Sequence, residues 1–255
     1  MRERNEAATD GRRRRSGATG TANDAMVRGA LVEAARRQIA SAREGDISTR
    51  AVCDEAGVTQ PVLYRLFGDK NGLLDAVADD AFERYARRKQ ALEISDDPVK
   101  DLHAGWHDHM AFAAENPAVY QLMFVPRPHS ASNAYRRILE LLEATLLRCA
   151  ATGTLATTPR LAAQLILPAN IGVALSHIAQ PHLFDDPALS DRTREAIFAA
   201  VLSRPADPGP PSRTSPMRTA AWQLRAQLTL TGTDKLAPVE AALLDHWLER
   251  LDETP

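Results

Sequence analysis

Two groups of side chains in this sequence have types and spacings that suit the binding of a ligand. In the first, Gln60, Tyr64 and Arg65 lie close together between Ser48 and Lys70 and carry amide, phenol and guanidinium groups. Such groups form hydrogen bonds with base edges and with phosphates. This stretch therefore favours a surface that binds nucleic acid.

The second group is a run of three histidines. His103 and His107 are one turn apart on a helix, and so share one face at a spacing that a transition metal can use. At about 3.6 residues per turn, His109 points about 200° away from His107. No cysteine or carboxylate of obvious spacing completes a site, although Asp101 and His177 could approach. We prefer hydrogen-bonded or solvated histidines and expect no metal and no cofactor.

The chain lacks the motifs of common enzyme classes. It contains no P-loop, no dinucleotide-binding fingerprint, no GxSxG elbow and no HExxH pair. We therefore expect no enzymatic activity. Cys53 and Cys149 lie far apart inside apolar helical patterns and are interpreted as buried thiols. A redox sensor is the alternative, and no CxxC motif supports it.

Two short helices must position the first group, with a third beginning behind them. Ser48 is predicted to cap a helix that ends at Gly57, and Thr59 to cap the next, which runs to about Phe67. Pro61 fits the first turn of that second helix, where its missing N–H has no intrahelical partner. A glycine just past one helix, followed at once by a capping residue, is the sequence form of a helix-turn-helix.

Hydrophobic spacing decides which face of the second helix points outward. Leu63 and Phe67, four positions apart, must face the core, with help from Leu66. The helix is short enough to enter a major groove. The side chains left outward, and predicted to meet DNA, are Gln60, Pro61, Val62, Tyr64 and Arg65.

Two cations flank this helix. Arg50 falls in the first turn of the preceding helix and could reach a phosphate, with a solvated charge as the alternative. Asp69 is the predicted N-cap of the following helix, and Lys70 lies in its first turn. Helix N-termini bind anions, and a lysine there adds charge for a DNA phosphate.

Composition and charge agree with a small DNA-binding module joined to a larger one. The chain has 255 residues, of which 44% are hydrophobic and 25% charged, and its net charge is −2. Residues 1–90 hold 17 basic and 14 acidic residues and the remainder 14 and 19, so the positive field belongs to the candidate module. Residues 1–23 are predicted to be a disordered basic tail. Its block from Arg12 to Arg15 is either an arm that meets DNA or a solvated charge.

From Ala30 to Val77 the chain resembles the DNA-binding region of the tetracycline-repressor (TetR-like) family of transcriptional regulators. The matching parts are LVEAAR, AGVTQPVLYRLF and GDKNGLL. Leu66 stands where many members have His, and Ile39 where Phe is common.

The resemblance and the helical pattern imply an all-α fold. An N-terminal three-helix helix-turn-helix domain at 24–70 is joined through a connecting helix at 71–94 to a larger helical domain at 95–255, for ligand binding and dimerisation. Within that larger domain a Pro-rich linker is predicted at 204–216.

The resemblance also implies a site and a mechanism. Thr59 to Arg65 would supply groove contacts, while Tyr64 and Lys70 would hold phosphates of a double-stranded operator. Family members are most often homodimeric repressors that a small effector releases. A regulator without an effector is the first alternative, and a metal-binding or enzymatic helical protein the second.

Two later helices bear on partners. The segment at 160–180 is apolar nearly all round and is predicted to be buried on every side, both against its own domain and against a second subunit. The helix from about Pro238 to Leu251 is either intrachain core or dimer surface. No apolar run approaches the roughly 20 residues of a membrane span, so we expect a cytoplasmic protein with no membrane partner.

Aromatic and methionine side chains cluster where the family usually forms its effector pocket. They are Trp106, Met110, Tyr120, Met123 and Phe124. Such linings, with few polar groups, suit a small apolar or aromatic effector. An ordinary core is the alternative.

Overall fold

The structure, a computed structural model, describes residues 23–41, 47–125, 133–203 and 216–251. Within these ranges the chain forms eleven helices and no strand, with an isolated bridge between Leu155 and Leu202. The helices are α1 at 23–41, α2 Thr49–Ala56, α3 Gln60–Phe67, α4 Lys70–Gln90, α5 Pro98–Glu115, α6 Pro117–Phe124, α7 Asn133–Ala151, α8 Pro159–Ala179, α9 Leu189–Val201, α10 Pro216–Thr231 and α11 Pro238–Arg250. The predicted all-α fold class is confirmed.

Two predicted features lie outside the described residues. They are the basic tail at 1–23 except for its last residue, including the block from Arg12 to Arg15, and the Pro-rich linker at 204–216 except for Pro216.

Contacts divide the chain into two compact units. The first unit takes the chain through Arg84 and includes α6, whereas the second holds Tyr85–Glu115 and the chain from α7 onward. The division falls inside α4, so one continuous helix takes part in both units. The functional segments 24–70, 71–94 and 95–255 stay predictions.

The helices of the first unit begin and end at the predicted capping residues. Ser48 Oγ accepts a hydrogen bond from the Ala51 N–H at 3.3 Å, and α2 ends at Gly57 with φ at 67°. Thr59 precedes α3 in an extended conformation, but its side chain makes no capping hydrogen bond. The prediction for Thr59 is therefore correct in position and wrong about the bond.

The junction between α3 and α4 leaves no room for a side chain at Gly72. Asp69 Oδ1 accepts a hydrogen bond from the Gly72 N–H at 2.8 Å and caps α4 as predicted. A Cβ at Gly72 would lie 2.0 Å from the carbonyl oxygen of Phe67. That oxygen belongs to the backbone, so it can move only if the end of α3 moves.

The second unit packs α5, α7, α8, α9 and α10 around one apolar cluster. Side chains of this cluster include Leu102, Trp106, Leu146, Cys149, Ile166, Phe198 and Ala226. Every helix of the group contributes at least one of them, so burial of these side chains holds the unit together.

Helix α8 buries one side within this chain and exposes another, and burial of the exposed side against a second subunit stays a prediction. Leu161 and Leu165, one turn apart, are 47% and 41% exposed. Among the described residues, α8 is the helix with the length and composition to cross a membrane, and 44% of its apolar window is buried. Ala162, Ala163 and Ile166 belong to the core cluster, so packing accounts for much of its apolar composition.

Helix α11 also exposes an apolar face. Leu248 is buried, whereas Val239, Leu243 and Trp247 are 73%, 44% and 56% exposed. The three exposed residues are spaced by four and therefore share one side of the helix. Of the two alternatives for this helix, that side is not intrachain core.

Replacing Gly72 by Ala tests the α3–α4 junction. The added methyl must displace the Phe67 carbonyl, and overpacking of this kind costs about 1–3 kcal/mol. Gly29→Ala in α1 is the control, because nothing lies within 4 Å of a Cβ there. Urea unfolding followed by circular dichroism should give a lower midpoint for Gly72→Ala, and an equal or higher one for Gly29→Ala because Ala favours helix. An unchanged midpoint for Gly72→Ala would contradict the close approach.

Candidate nucleic-acid interface and cavity

Helix α3 has one buried side and one exposed side. Leu63 is completely buried, whereas Phe67 and Leu66 are half-buried. Thr59, directly before the helix, is exposed. The outward side chains are where the hydrophobic spacing placed them: Gln60, Pro61, Tyr64 and Arg65 are exposed and Val62 is half-buried. Their contact with DNA stays a prediction.

An aspartate on α1 holds Arg65. Nη1 and Nη2 of Arg65 donate hydrogen bonds of 2.8 and 2.7 Å to the two carboxylate oxygens of Asp24. The hydrogen bond from Arg65 lowers the pKa of Asp24. Asp24 and Arg65 are 41 positions apart in the chain, so no local sequence pattern predicts this pairing.

A second residue of α1, Arg28, stabilises the end of α3. Its Nη1 donates a hydrogen bond of 3.0 Å to the Leu66 carbonyl oxygen, and its guanidinium carbon lies 4.4 Å from the centre of the Phe67 ring. A cation at a helix C-terminus bonds a carbonyl that has no intrahelical partner and interacts favourably with the helix dipole. No pattern in the sequence singled out Arg28.

The two flanking cations lie in the first turns of their helices, as predicted. Arg50 is exposed near the start of α2, and Lys70, which is half-buried, is the first residue of α4. The carboxylate of Asp69 already accepts one N–H of α4. A phosphate bound at this end would therefore meet the remaining N–H groups and the Lys70 ammonium.

The second unit contains a cavity of about 300 Å³. It is enclosed by the last turns of α4 and the segment after it, together with α5, α7 and α8. Its apolar wall includes Leu102, Trp106, Ile138, Leu141, Leu142, Ile166 and Leu167. Its polar lining includes Tyr85, Lys89, Asp101, His109, Thr145, Arg148 and Asn170. The size and composition are those of a small-molecule site.

Of the five residues predicted for an effector pocket, Trp106 lines this cavity. Met110 packs against the core cluster of the second unit and does not line the cavity. Tyr120, Met123 and Phe124 are buried in α6, which belongs to the first unit, and the Tyr120 and Phe124 rings lie 4.5 Å apart. The rest of the lining comes from α4 and the segment after it, α7, α8 and other positions of α5, which were not predicted to form the pocket.

Three charged side chains at the cavity, Lys89, Asp101 and Arg148, are paired, whereas Glu93 of the lining is exposed to solvent. Lys89 Nζ lies 2.8 Å from Asp108 Oδ2 and donates a hydrogen bond of 2.6 Å to the Gly105 carbonyl oxygen. Burial lowers the pKa of Lys89, against the opposing effect of Asp108. Arg148 Nη1 donates a hydrogen bond of 2.6 Å to Asp101 Oδ2.

The three histidines of α5 have separate protein neighbours. His109 is buried, with Nδ1 2.6 Å from the Tyr85 hydroxyl; His107 Nε2 lies 2.7 Å from Arg194 Nη1; and the His103 ring packs edge-on against Phe198 at 4.8 Å. Within the described ranges, no group of three His, Cys, Asp or Glu side chains is arranged to hold a metal.

Both cysteines are buried and unbonded, as predicted. Burial raises the pKa of Cys149 to about 11 and also raises that of Cys53. A raised pKa disfavours the reactive thiolate, so these thiols act as small apolar side chains.

The pH dependence of stability tests the state of His109. Burial lowers the pKa of His109 from 6.5 to about 3. Between these values the unfolded chain binds a proton that the folded chain does not, so stability falls as the pH drops below about 6.5. This one group should lower the free energy of unfolding by about 2 kcal/mol between pH 7 and pH 5.

Urea titrations at several pH values check this expectation. His109→Gln should remove most of the slope, with a remainder from His103, whose pKa burial also lowers. His246→Gln, which removes an exposed histidine, should keep the wild-type slope. A wild-type slope in His109→Gln would contradict a buried neutral imidazole.

Comparison with known proteins agrees with a helix-turn-helix in the first unit. Residues 31–77 match the family model of bacterial regulatory proteins of the tetR family. A search of curated proteins gives no match to the chain.

Solved structures match over most of their own length. A TetR-family transcriptional regulator from Pectobacterium atrosepticum is 20% identical, with a TM-score of 0.62 over 72% of this chain and 98% of that one. SmeT, the repressor of the Stenotrophomonas maltophilia multidrug efflux pump SmeDEF, is 20% identical, with a TM-score of 0.55 over 74% and 97%. FadR, the fatty acid degradation regulator from Bacillus halodurans, is 18% identical, with a TM-score of 0.56 over 67% and 94%.

At sequence identities of 18–20%, similarity to these structures shows the fold alone. The family of the helix-turn-helix is shown by the match of residues 31–77 to the family model. Residues 31–77 therefore form the helix-turn-helix of the tetR family of bacterial regulatory proteins, within a chain that has the TetR-like fold.

Proposed function

We propose that this chain is a homodimeric repressor of the bacterial cytoplasm, which binds a double-stranded DNA operator and leaves it when a small effector binds. The observation that carries the proposal is the exposed side of α3, where Gln60, Tyr64 and Arg65 stand opposite the fully buried Leu63. Burial of Leu63 fixes the rotation of the helix, so these polar groups face outward together.

The exposed groups divide into base contacts and phosphate contacts. The Gln60 amide suits the donor and acceptor pair of an adenine edge, and the Arg65 guanidinium suits guanine. Tyr64, Arg50 and Lys70 hold phosphates, which position the helix without reading sequence. Thr59, Pro61 and Val62 complete the face that enters the groove.

The bond to Asp24 bears on how Arg65 would read a base. Both terminal nitrogens of Arg65 point at one carboxylate, which is the paired geometry that the two acceptors of guanine also require. On DNA, the guanidinium exchanges a carboxylate for guanine acceptors. Asp24 thus keeps an otherwise flexible side chain extended in the free protein.

Coupling between effector and operator rests on α4. Lys70 begins this helix in the first unit, whereas Tyr85 and Lys89 line the cavity in the second. A ligand that shifts the end of α4 would act on the helix that carries Lys70. Ligand and operator affinities are then linked reciprocally.

The effector is proposed to be a small apolar or aromatic compound. The cavity wall is largely apolar and includes the Trp106 ring. SmeT forms a complex with triclosan, and FadR regulates fatty acid degradation. These relatives support an apolar ligand for a TetR-like chain.

A homodimer is proposed because one helix-turn-helix contacts few base pairs. Two copies related by a two-fold axis read half-sites about 34–36 Å apart. Exposed apolar side chains on α8, Leu161 and Leu165, and on α11, Leu243 and Trp247, are the surfaces that a second copy would cover.

Substitutions on α3 separate base contacts from phosphate contacts. Arg65→Ala should change the base preference in a competition assay with operator variants, by about 1–3 kcal/mol at one position. Tyr64→Ala should weaken binding to all duplexes about equally. Arg84→Ala is the matched control, since Arg84 is similarly exposed and ion-paired with acidic side chains, but lies on α4. An unchanged base preference in Arg65→Ala would contradict the assignment of this face.

Selection of genomic fragments tests the proposed function. The purified protein should enrich fragments that contain an inverted repeat with half-sites one or two helical turns apart, and sedimentation should show two chains per site. Binding should weaken steeply as salt rises and remain specific. Salt-steep binding with no preference among fragments would overturn sequence-specific repression.

A further inference from the structure

Asn170 is a cavity residue whose hydrogen bonding is incomplete. It lies on α8, is 4% exposed and lines the cavity beside Ile166 and Leu167. Its Oδ1 is buried and has no hydrogen-bond partner. Of the buried side-chain atoms without a hydrogen-bond partner in the described part of the chain, this oxygen is the one on a cavity residue. Buried carbonyl groups are normally bonded, so this atom can accept a donor from a ligand.

Several other polar side chains of the cavity are already hydrogen-bonded. The Tyr85 hydroxyl and His109 Nδ1 lie 2.6 Å apart, and Trp106 Nε1 donates a hydrogen bond of 3.0 Å to Ser190 Oγ. A ligand acceptor that bonds Trp106 Nε1 has to break an existing hydrogen bond, whereas a ligand donor that bonds Asn170 Oδ1 does not.

The paired charges exclude a charged ligand by the same reasoning. Arg148 is bonded to Asp101 at 2.6 Å and Lys89 to Asp108 at 2.8 Å. A carboxylate entering the cavity would have to break one of these pairs or stay unpaired against apolar side chains, and both are costly. An ammonium group could reach Glu93 of the lining, but Glu93 is exposed to solvent, and elsewhere in the cavity the ammonium would face the same costs.

We propose that the cavity takes an uncharged, largely apolar ligand that carries one hydrogen-bond donor, such as a phenol, and that Asn170 selects for that donor. Only the role of this ligand as an effector rests on the proposed function. The recognition chemistry follows from the cavity alone.

Three compounds with one scaffold test the proposal: para-phenylphenol, its methyl ether, and biphenyl-para-carboxylate. Calorimetric titration of the full-length chain without DNA should show the phenol binding at least about tenfold more tightly than the ether, the size expected for one buried hydrogen bond. The carboxylate should not bind. Equal affinity for phenol and ether, preference for the carboxylate, or no binding of any of the three would overturn the proposal.

Asn170→Leu supplies the residue-level test. Leu has a similar size and removes the unpaired oxygen, so the variant should unfold at the same or a higher temperature and bind phenol no better than ether. Trp222→Phe is the matched control, because Trp222 Nε1 is also buried without a hydrogen-bond partner, and Trp222 does not line the cavity. It should keep the wild-type preference for phenol.

A second variant at Asn170 covers the case in which Asn170→Leu does not fold, and the failure of this inference can be told apart from the failure of the proposed function. If Asn170→Leu does not fold, Asn170→Ala should lose the same discrimination, and retained discrimination in either folded variant would overturn the role of Asn170. Ligand discrimination in a protein that selects no operator would sustain this inference and overturn the proposed function. A protein that selects an operator but binds phenol and ether equally would sustain the proposed function and overturn this inference.

Discussion

One continuous helix, α4, packs its first part in one compact unit and its last part in the other. Leu73, Val77 and Phe82 are buried in the first unit, whereas Tyr85 and Ala86 are buried in the second. Packed interiors do not deform gradually, so a helix held in both has few ways to move. Its start is equally constrained, because the backbone of α3 lies against Gly72. The start of α4 thus meets the end of α3, and its last turns line the cavity.

Charge pairs hold the end of α4 that lines the cavity. Arg88 and Lys89 both pair with Asp108 of α5, at 2.6 and 2.8 Å. Removing one partner of a buried pair leaves an uncompensated charge, at a cost of about 3–5 kcal/mol. A ligand that leaves these pairs intact would contact the apolar wall and Asn170 of α8.

The sequence predicted the features that depend on local chemistry. Ser48, Gly57 and Asp69 cap their helices where their types require, and Leu63 sets the outward side of α3 through simple periodicity. The contacts of Asp24 with Arg65 and of Arg28 with the end of α3 were not predicted, because each joins residues that are distant in the chain.

The cavity was the harder feature to predict. Trp106 lies in its wall, but Tyr120 and Phe124 pack together in the first unit. An apolar cluster in a sequence looks the same whether it fills a core or surrounds a space. The polar residue that distinguishes the two, Asn170, lies in α8, where the sequence shows an almost uniformly apolar run.

The central claim is that the cavity and the α3 face are linked through α4, and reciprocity tests it most directly. Operator affinity would be measured by fluorescence anisotropy with and without saturating para-phenylphenol, and phenol affinity by calorimetry with and without saturating operator. Both affinities are expected to fall by the same factor, between about 5 and 150. A phenol that binds the cavity and leaves operator affinity unchanged would contradict it.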